Sequence, residues 1–259
     1  GRLQYTFPIP AQTWGGETHT WHLSRKGTRM QRKIWQLGLA IALGLLAAAT
    51  GYADDGFKSI FDGKTLEGWD GKPEFWSVKD GALTGQTTAE NPTKGNTFII
   101  YKPSQVGDFE LRLKYKIIGG NSGIQYRSED KGDHVVGGYQ ADFEAGDTFS
   151  GILYEERGRG ILCKRGQKVV IGEDGKITET SGPNTNEEIV KAIKKEDWND
   201  YVIIAKGNHL IHKINGLQTA EVIDNQKDKS KSSGILALQL HAGPAIMLQF
   251  KDLEIKELK

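Results

Sequence analysis

This chain of 259 residues has almost no cysteine and almost no net charge. The one cysteine, Cys163, excludes an intramolecular disulfide and a metal site built from several cysteines, and we expect it to be a small buried apolar residue. The 34 basic and 33 acidic residues leave a net charge of +1, which provides no global field for nucleic acid or an anionic membrane. Only 7 prolines accompany 33 glycines, which suggests many turns.

The N-terminal part has the pattern of an export signal. From Met30, two basic residues are followed by an apolar run over residues 37–49 and by small residues that end at Ala53. The run is short for a bilayer span, which takes about 20 residues, so we expect cleavage rather than stable membrane insertion. Residues 30–53 are therefore predicted to be a signal peptide, and the protein from Asp54 to be periplasmic or secreted.

Residues 1–29 show no sustained periodicity and lie upstream of this signal. Since signal peptides start at the true N-terminus, we interpret these residues as a non-native upstream extension. Residues 54–259 are expected to form one domain.

Short segments of alternating polarity predict that this domain is all-β. The segment DFELRLKYKII alternates strictly, which is typical of a half-buried strand. Asp-Gly at 80–81 and Asn-Gly at 215–216 are hairpin turn signals, and ILCKRGQKVVIG indicates a further hairpin. Thr185 and Glu188 form a capping-box pattern before one short helix. Together these features predict a sandwich of two antiparallel sheets with a short helical insertion.

The segment GGYQADFEAGDTFSGILYEER, residues 137–157, carries most of the functional information. It indicates two short strands around a turn, and successive side chains of a strand point to opposite faces. One face of its first strand is apolar (Tyr139, Ala141 and Phe143) and the other is polar (Gln140, Asp142 and Glu144). The polar row is either a solvated sheet face or the floor of a pocket.

Other predicted strands carry polar residues that a core strand does not need. If these strands are neighbours, one concave patch would contain Arg127, Gln140, Asp142, Tyr154, Glu156, Gln239 and His241. For any single residue a solvated face is the more common explanation, because antiparallel sandwiches often have one. The combination of arginine, histidine, carboxylates and amides favours a pocket for the group.

His209 and His212 are separated by three positions in a predicted strand, so they should point to opposite faces. That geometry is poor for a pair of metal ligands. We expect both side chains at the surface.

A series of motifs resembles one known family. FDGKTLEGW, DGALTG, DFELRLKYKI, NSGIQYR, GYQADF, GILYEE, EDWNDY, LQLHAG and KDLEIKEL follow one another between about Ser59 and Leu258. In this order they resemble the bacterial 3-keto-disaccharide hydrolase domain family, also described as 3-keto-glucoside 1,2-lyase and 3-keto-2-hydroxy-glucal hydratase. The resemblance implies a concanavalin-like jelly-roll sandwich, export and a small sugar-derived substrate.

The resemblance also implies a lyase or hydrolase that acts on 3-keto-glycosides. A ketone at C3 makes the C2 proton acidic, so a base can remove it; the enolate then expels the C1 substituent, and added water gives net hydrolysis. Asp142, Glu156 or His241 would be base or acid, and Arg127, or a divalent metal held by carboxylates and His241, would stabilise the enolate. Hydroxyl binding is expected from Asn121, Gln140 and Gln239, with Tyr154 as stacking platform or proton relay.

One departure and one alternative remain. Many family members have an acid at the position of Gln140 and an amide at that of Asp142, so this chain exchanges the pair. At Glu144 the family pattern is often apolar, and a role there is the least expected.

The alternative is a non-catalytic carbohydrate-binding module on the same sandwich, because fold alone does not determine function.

Overall fold

Strands with one apolar face pack as two sheets in the computed structural model, which describes residues 55–259. The larger sheet contains β1 (Lys58–Ser59), β3 (Trp76–Lys79), β4 (Ala82–Gln86), β6 (Phe109–Ile118), β11 (Gln167–Ile171), β12 (Ile177–Ser181), β13 (Asn199–Lys206), β14 (His209–Ile214), β15 (Leu217–Asp224) and β17 (Met247–Glu257). The smaller sheet contains β2 (Trp69–Asp70), β5 (Thr97–Val106), β7 (Asn121–Asp130), β8 (Val136–Glu144), β9 (Leu153–Glu156), β10 (Gly160–Cys163) and β16 (Gly234–Leu240).

The order of strands confirms the predicted two-sheet sandwich. Neighbours run β12-β11-β15-β14-β13-β6-β17-β4-β3 in the larger sheet, with β1 beside β17, and β10-β9-β8-β7-β16-β5-β2 in the smaller one. The pairings are antiparallel except for β11 and β15, which are parallel. The hairpin signals at 80–81 and 215–216 connect β3 to β4 and β14 to β15 as predicted.

Aromatic side chains fill the space between the sheets. The ring of Phe143 on β8 lies 4.2 Å from that of Tyr115 on β6 and 5.7 Å from that of Phe250 on β17, centroid to centroid. Each such pair contributes about 0.5–1.5 kcal/mol beyond its area burial. The apolar face of β8 is therefore anchored in the core, which leaves its polar face on the outside of the smaller sheet.

The helical insertion is α1 (Asn186–Ala192), and its N-cap confirms the capping-box prediction. The Thr185 hydroxyl accepts from the Glu188 backbone N–H, and the Glu188 carboxylate accepts from the Thr185 N–H. Within the part of the chain that the structure describes, no helix has the length and apolarity needed to span a membrane. The predicted signal peptide (30–53) and upstream extension (1–29) lie outside the described residues.

Two expectations about local structure are wrong. ILCKRGQKVVIG does not form a hairpin: β10 pairs with β9 and β11 pairs with β12 and β15, so the turn between β10 and β11 carries the chain from one sheet to the other. His212 is buried rather than at the surface, and Tyr126 Oη and His212 Nε2 lie 2.9 Å apart. Burial lowers the pKa of His212 to about 3, so it is a neutral core residue.

Candidate active site

Two of the three side chains in the polar row of β8 are buried, which favours a pocket floor over a solvated face. Gln140 is 2% exposed and Asp142 is 6% exposed, although both lie on the outer face of the smaller sheet. Cross-strand pairing places Gln125 of β7 and Tyr154 of β9 opposite Gln140 on that same face. An ordinary solvated face would leave such side chains open to water, so this part of the sheet is the floor of a site.

A pocket of about 380 Å³ opens above this floor, which is within the usual size range of small-molecule sites, about 300–1,000 Å³. It is lined by Asn96, Asn121, Gln140, Asp142, Glu144, Phe149, Ile152, Tyr154, Glu156, Ile161 and His241. Six of the eight side chains that sequence reasoning grouped as site residues are on this list, namely Asn121, Gln140, Asp142, Tyr154, Glu156 and His241. The lining contains several carboxylates and no lysine or arginine.

Gly123 makes room for the floor of the pocket. Gly123 is on β7, opposite Asp142 of β8. A Cβ atom added to Gly123 would come within 2.4 Å of Gln140 Cγ. Real Cβ atoms do not approach another carbon so closely, and any larger side chain would displace Gln140. The glycine of the NSGIQYR motif is thus explained by the close passage of the glutamine side chain.

A chain of buried amides holds Asp142 in place. Ser128 Oγ donates to Gln125 Oε1, Gln125 Nε2 to Gln140 Oε1, and Gln140 Nε2 to Asp142 Oδ1, each over 2.6 Å. Gln239 Nε2 also donates to Gln140 Oε1, at 3.1 Å. Two N–H groups point at Gln140 Oε1. If the amide of Gln140 rotated by half a turn, its own NH₂ group would face these two donors and no hydrogen bond could form. Its NH₂ group is therefore fixed toward the carboxyl of Asp142.

Asp142 is a carboxyl group with a pKa near neutrality. Burial raises its pKa from 3.8 to about 8, against the opposing hydrogen bond from Gln140 and with help from the negative charges of Glu156 and Glu144. Burial disfavours the charged form of an acid, and nearby like charges add to the effect. A carboxyl with this pKa can both take up and release a proton near neutral pH.

Glu156 is the second carboxylate of the pocket. Asn96 Nδ2 donates to its Oε1 at 3.3 Å and Gln239 Nε2 to its Oε2 at 3.4 Å. Asn96 Oδ1 in turn accepts from the backbone N–H of Ala242 at 3.0 Å. Gln239 therefore lies beneath the pocket and links Gln140 to Glu156, whereas Asn96 connects Glu156 to the segment that carries His241.

At the edge of the pocket, Tyr154 offers a hydrogen-bond donor and His241 an acceptor. His241 Nδ1 faces the carbonyl oxygen of Ala242, and since a carbonyl can only accept, Nδ1 carries the proton and Nε2 has the lone pair when the ring is neutral. Burial and the neighbouring charges of Glu156 and Asp142 raise the pKa of Tyr154. The Tyr154 hydroxyl consequently keeps its proton at neutral pH and can donate a hydrogen bond.

Arg127 does not belong to this pocket, which corrects the placement expected from strand parity. The β7–β8 register shifts after Tyr126, and Arg127 has a φ of +46°, so the alternation breaks there. Its guanidinium donates to the carbonyls of Gly107, Gly207 and Lys231 and to Asp108 Oδ1. Arg127 is 1% exposed and holds three loops together. It is not available to an enolate in the pocket.

Residues 55–259 contain no evident set of ligands for a divalent metal. Among residues 55–259, no three His, Cys, Asp or Glu side chains converge in a metal-binding arrangement. Glu156 and His241 face the pocket with carboxylate and imidazole donors, but the third ligand usual for a catalytic metal is missing from the described residues.

Several pocket residues were missed by sequence reasoning. Asn96 precedes β5 in a loop, and no periodicity marks it. Gln125 has the same parity signal as Gln140 and could have been included on that ground. Phe149 and Ile161 form an apolar side of the pocket, but they lie in a loop and on an edge strand, where alternation carries little information. Glu144 accepts from the backbone N–H of Phe149 at 2.8 Å, so it positions that loop.

The sandwich carries a polar pocket on one outer face, and comparisons with known proteins indicate a carbohydrate-active class of proteins. A family model described as the 3-keto-alpha-glucoside-1,2-lyase-like domain matches residues 56–256. The chain belongs to this family. A protein of Bacteroides thetaiotaomicron named 3-keto-disaccharide hydrolase is 35% identical over 86 residues, which is 29% of this chain and 29% of that protein. The match thus spans less than a third of the relative's length.

Solved structures show the same concanavalin-like fold. A candidate glycosyl hydrolase from Parabacteroides distasonis aligns with a TM-score of 0.52 and 19% identity, covering 79% of this chain and 94% of that one. SCLam, a non-specific endo-beta-1,3(4)-glucanase of family GH16, aligns with a TM-score of 0.50 and 12% identity over 79% and 92% of the two chains. At such identities the likeness establishes the jelly-roll fold alone.

Proposed function

We propose that the protein is an exported enzyme that cleaves 3-keto-glucosides by elimination and rehydration. The observation that carries the proposal is Asp142, a buried carboxyl whose pKa of about 8 suits a base, at the floor of a pocket in a chain of this family. A general base works best when its pKa is near the operating pH. A module that only binds sugars has no need of such a group.

Asp142 takes the C2 proton of the bound 3-keto-glucoside, which the neighbouring C3 ketone has made acidic. The electron pair moves into an enolate, and the C1–oxygen bond then breaks to release the aglycone and leave an enone. Tyr154, which keeps its proton because its pKa is raised, donates to the enolate oxygen. Asn121 and Gln140 face the hydroxyls of the sugar.

Glu156 and His241 serve the second half of the reaction. The departing C1 oxygen takes a proton from a water that Glu156 and His241 Nε2 orient, the remaining hydroxide adds to C1, and Asp142 returns its proton to C2. The products are the free aglycone and a 3-keto-sugar, which amounts to hydrolysis without a covalent glycosyl-enzyme. The carboxylate spacing rules for retaining and inverting glycosidases therefore do not apply.

The test is incubation of the purified protein with a 3-keto-glucoside, while enone absorbance and free aglycone are followed. Turnover is expected in the wild type and a severe loss in Asp142→Asn. The assay is run with and without added divalent metal, because the family resemblance leaves a metal as one alternative for stabilising the enolate. Sugar binding with no turnover under either condition would contradict the enzyme and indicate the carbohydrate-binding module instead.

A further inference from the structure

We propose that the side of the pocket bordered by Phe149, Ile152 and Ile161 is an apolar subsite that accepts a planar aromatic aglycone in preference to a second sugar. The proposal rests on the proposed function for the glycone. The preference itself is a property of binding and can be measured without any reaction.

Exposed apolar side chains are concentrated at this pocket. Across residues 55–259, the large hydrophobic residues that stay exposed are Ile118, Phe149, Ile161 and Ile177. Phe149 is 39% exposed and Ile161 is 42% exposed, and both line the pocket that contains Asp142. Single exposed apolar residues are ordinary, but two in one concave site are typical of ligand contact.

The position of Ile161 puts the apolar side at a defined distance from the reacting groups. Gln140 of β8 pairs with Tyr154 of β9, which pairs with Ile161 of β10. Neighbouring strands are about 4.8 Å apart, so Ile161 is two strands, roughly 10 Å, from the Gln140 position. A sugar ring above Gln140 and Asp142 can therefore extend its C1 substituent past Tyr154 toward Ile161.

These side chains are apolar and therefore favour contact with an apolar part of the ligand. Phe149, Ile152 and Ile161 carry no side-chain hydrogen-bond donor or acceptor, so sugar hydroxyls placed there would lose water without gaining a partner. An aromatic ring has no such cost, and it can pack against Phe149 and Tyr154 in offset or edge-to-face geometry. The hydrogen bond from the Phe149 N–H to Glu144 Oε1 fixes the loop that presents this ring.

The experiment compares the binding of phenyl and methyl glucosides, in both anomers, by calorimetry. These compounds are not oxidised at C3 and lack the acidic C2 proton, so they are bound without being consumed. The wild type is expected to bind the better phenyl anomer at least about tenfold more tightly than its methyl counterpart. Ile161→Thr should reduce this preference about fivefold, since it replaces the ethyl group of the isoleucine by a hydroxyl, and Phe149→Ala should reduce it further.

Ile177→Thr is the matched control, because Ile177 is 50% exposed on β12 of the other sheet and its replacement should leave the preference unchanged. Equal affinity for phenyl and methyl glucosides in the wild type, a preference for a glucosyl-glucose disaccharide, or a preference that survives in both Ile161→Thr and Phe149→Ala would overturn the proposal. Absence of turnover on every 3-keto-glucoside would instead remove the proposed reaction, and calorimetry would still decide the preference.

Discussion

Replacing Asp142 by asparagine is expected to stabilise the protein at neutral pH, although the same substitution removes the proposed base and with it the activity. The pKa of this carboxyl is about 8 in the folded protein and about 3.9 in an unfolded chain. Between these values the folded state holds a proton that the unfolded state has released. The stability that this proton provides is complete below the unfolded pKa and is lost as the pH rises through the folded pKa.

The size of the effect follows from the interval between the two pKa values. Each pH unit within the interval changes the free energy of unfolding by about 1.4 kcal/mol, so the wild type loses about 4 kcal/mol between pH 4 and pH 7. Asparagine has nearly the same shape and can accept the hydrogen bond from Gln140, but it has no proton to release. Asp142→Asn should therefore match the wild type at pH 4 and exceed it by about 4 kcal/mol at pH 7.

Urea or thermal unfolding from pH 4 to pH 9 measures this difference. In a domain of about 200 residues each kcal/mol shifts Tm by about 2–4 °C, so the gain at pH 7 should be about 8–16 °C. Asp228→Asn, a change at an exposed aspartate, should follow the wild-type curve at every pH. Parallel pH curves for the wild type and Asp142→Asn would show that the carboxyl is not protonated near neutrality, and the reasoning about the base would fail with it.

Three further outcomes are expected. The kcat/KM of the wild type should rise with pH, with a midpoint near 8, and a kcat/KM that stays constant from pH 6 to 9 would contradict Asp142 as base. Asp142→Asn should lower kcat by about 10²–10⁴-fold. Arg127→Met should lower the free energy of unfolding by about 3–5 kcal/mol, because three loop carbonyls lose the hydrogen bonds of the buried guanidinium. The kcat of the folded protein should stay unchanged, and a drop in kcat would return Arg127 to the reaction. Intact mass of the protein recovered outside the cytoplasm should correspond to a chain that begins at Asp54, and a mass that retains residues 30–53 would contradict the predicted cleavage.

Local patterns in the sequence predicted strands and turns well, because alternation and turn chemistry depend on near neighbours. Burial alternates along β6 as the segment DFELRLKYKII predicts, and the Asn-Gly turn has positive φ at both Asn215 and Gly216. Strand pairing depends on residues far apart in the chain. This is why the expected hairpin at ILCKRGQKVVIG is wrong, although both of its strands exist.

The site was predictable to the extent that strands alternate without interruption. Parity brought Gln140, Asp142, Tyr154 and Glu156 to one face, because β8 and β9 keep their register through those positions. It failed at Arg127, where a bulge with positive φ turns the side chain toward neighbouring loops. No feature of the sequence marks such a bulge.

The buried amides bear on the exchange of acid and amide between positions 140 and 142 that the family resemblance implies. The oxygen of Gln140 receives two N–H groups, from Gln125 and Gln239, whereas Asp142 receives one, from Gln140. A carboxylate at position 140 would have two donors and a lower pKa than the carboxyl at position 142.

The double variant Gln140→Glu/Asp142→Asn gives the arrangement that the resemblance implies for many family members. Its activity should persist, but the midpoint of its pH profile should lie below the wild-type value of about 8, because the base now sits where two hydrogen bonds stabilise its charge. Neither single variant has one acid and one amide at these positions. Gln140→Glu places two acids side by side, and Asp142→Asn leaves no acid at position 140 or 142. A double variant with an unchanged midpoint would show that the donors from Gln125 and Gln239 do not set the pKa of the base.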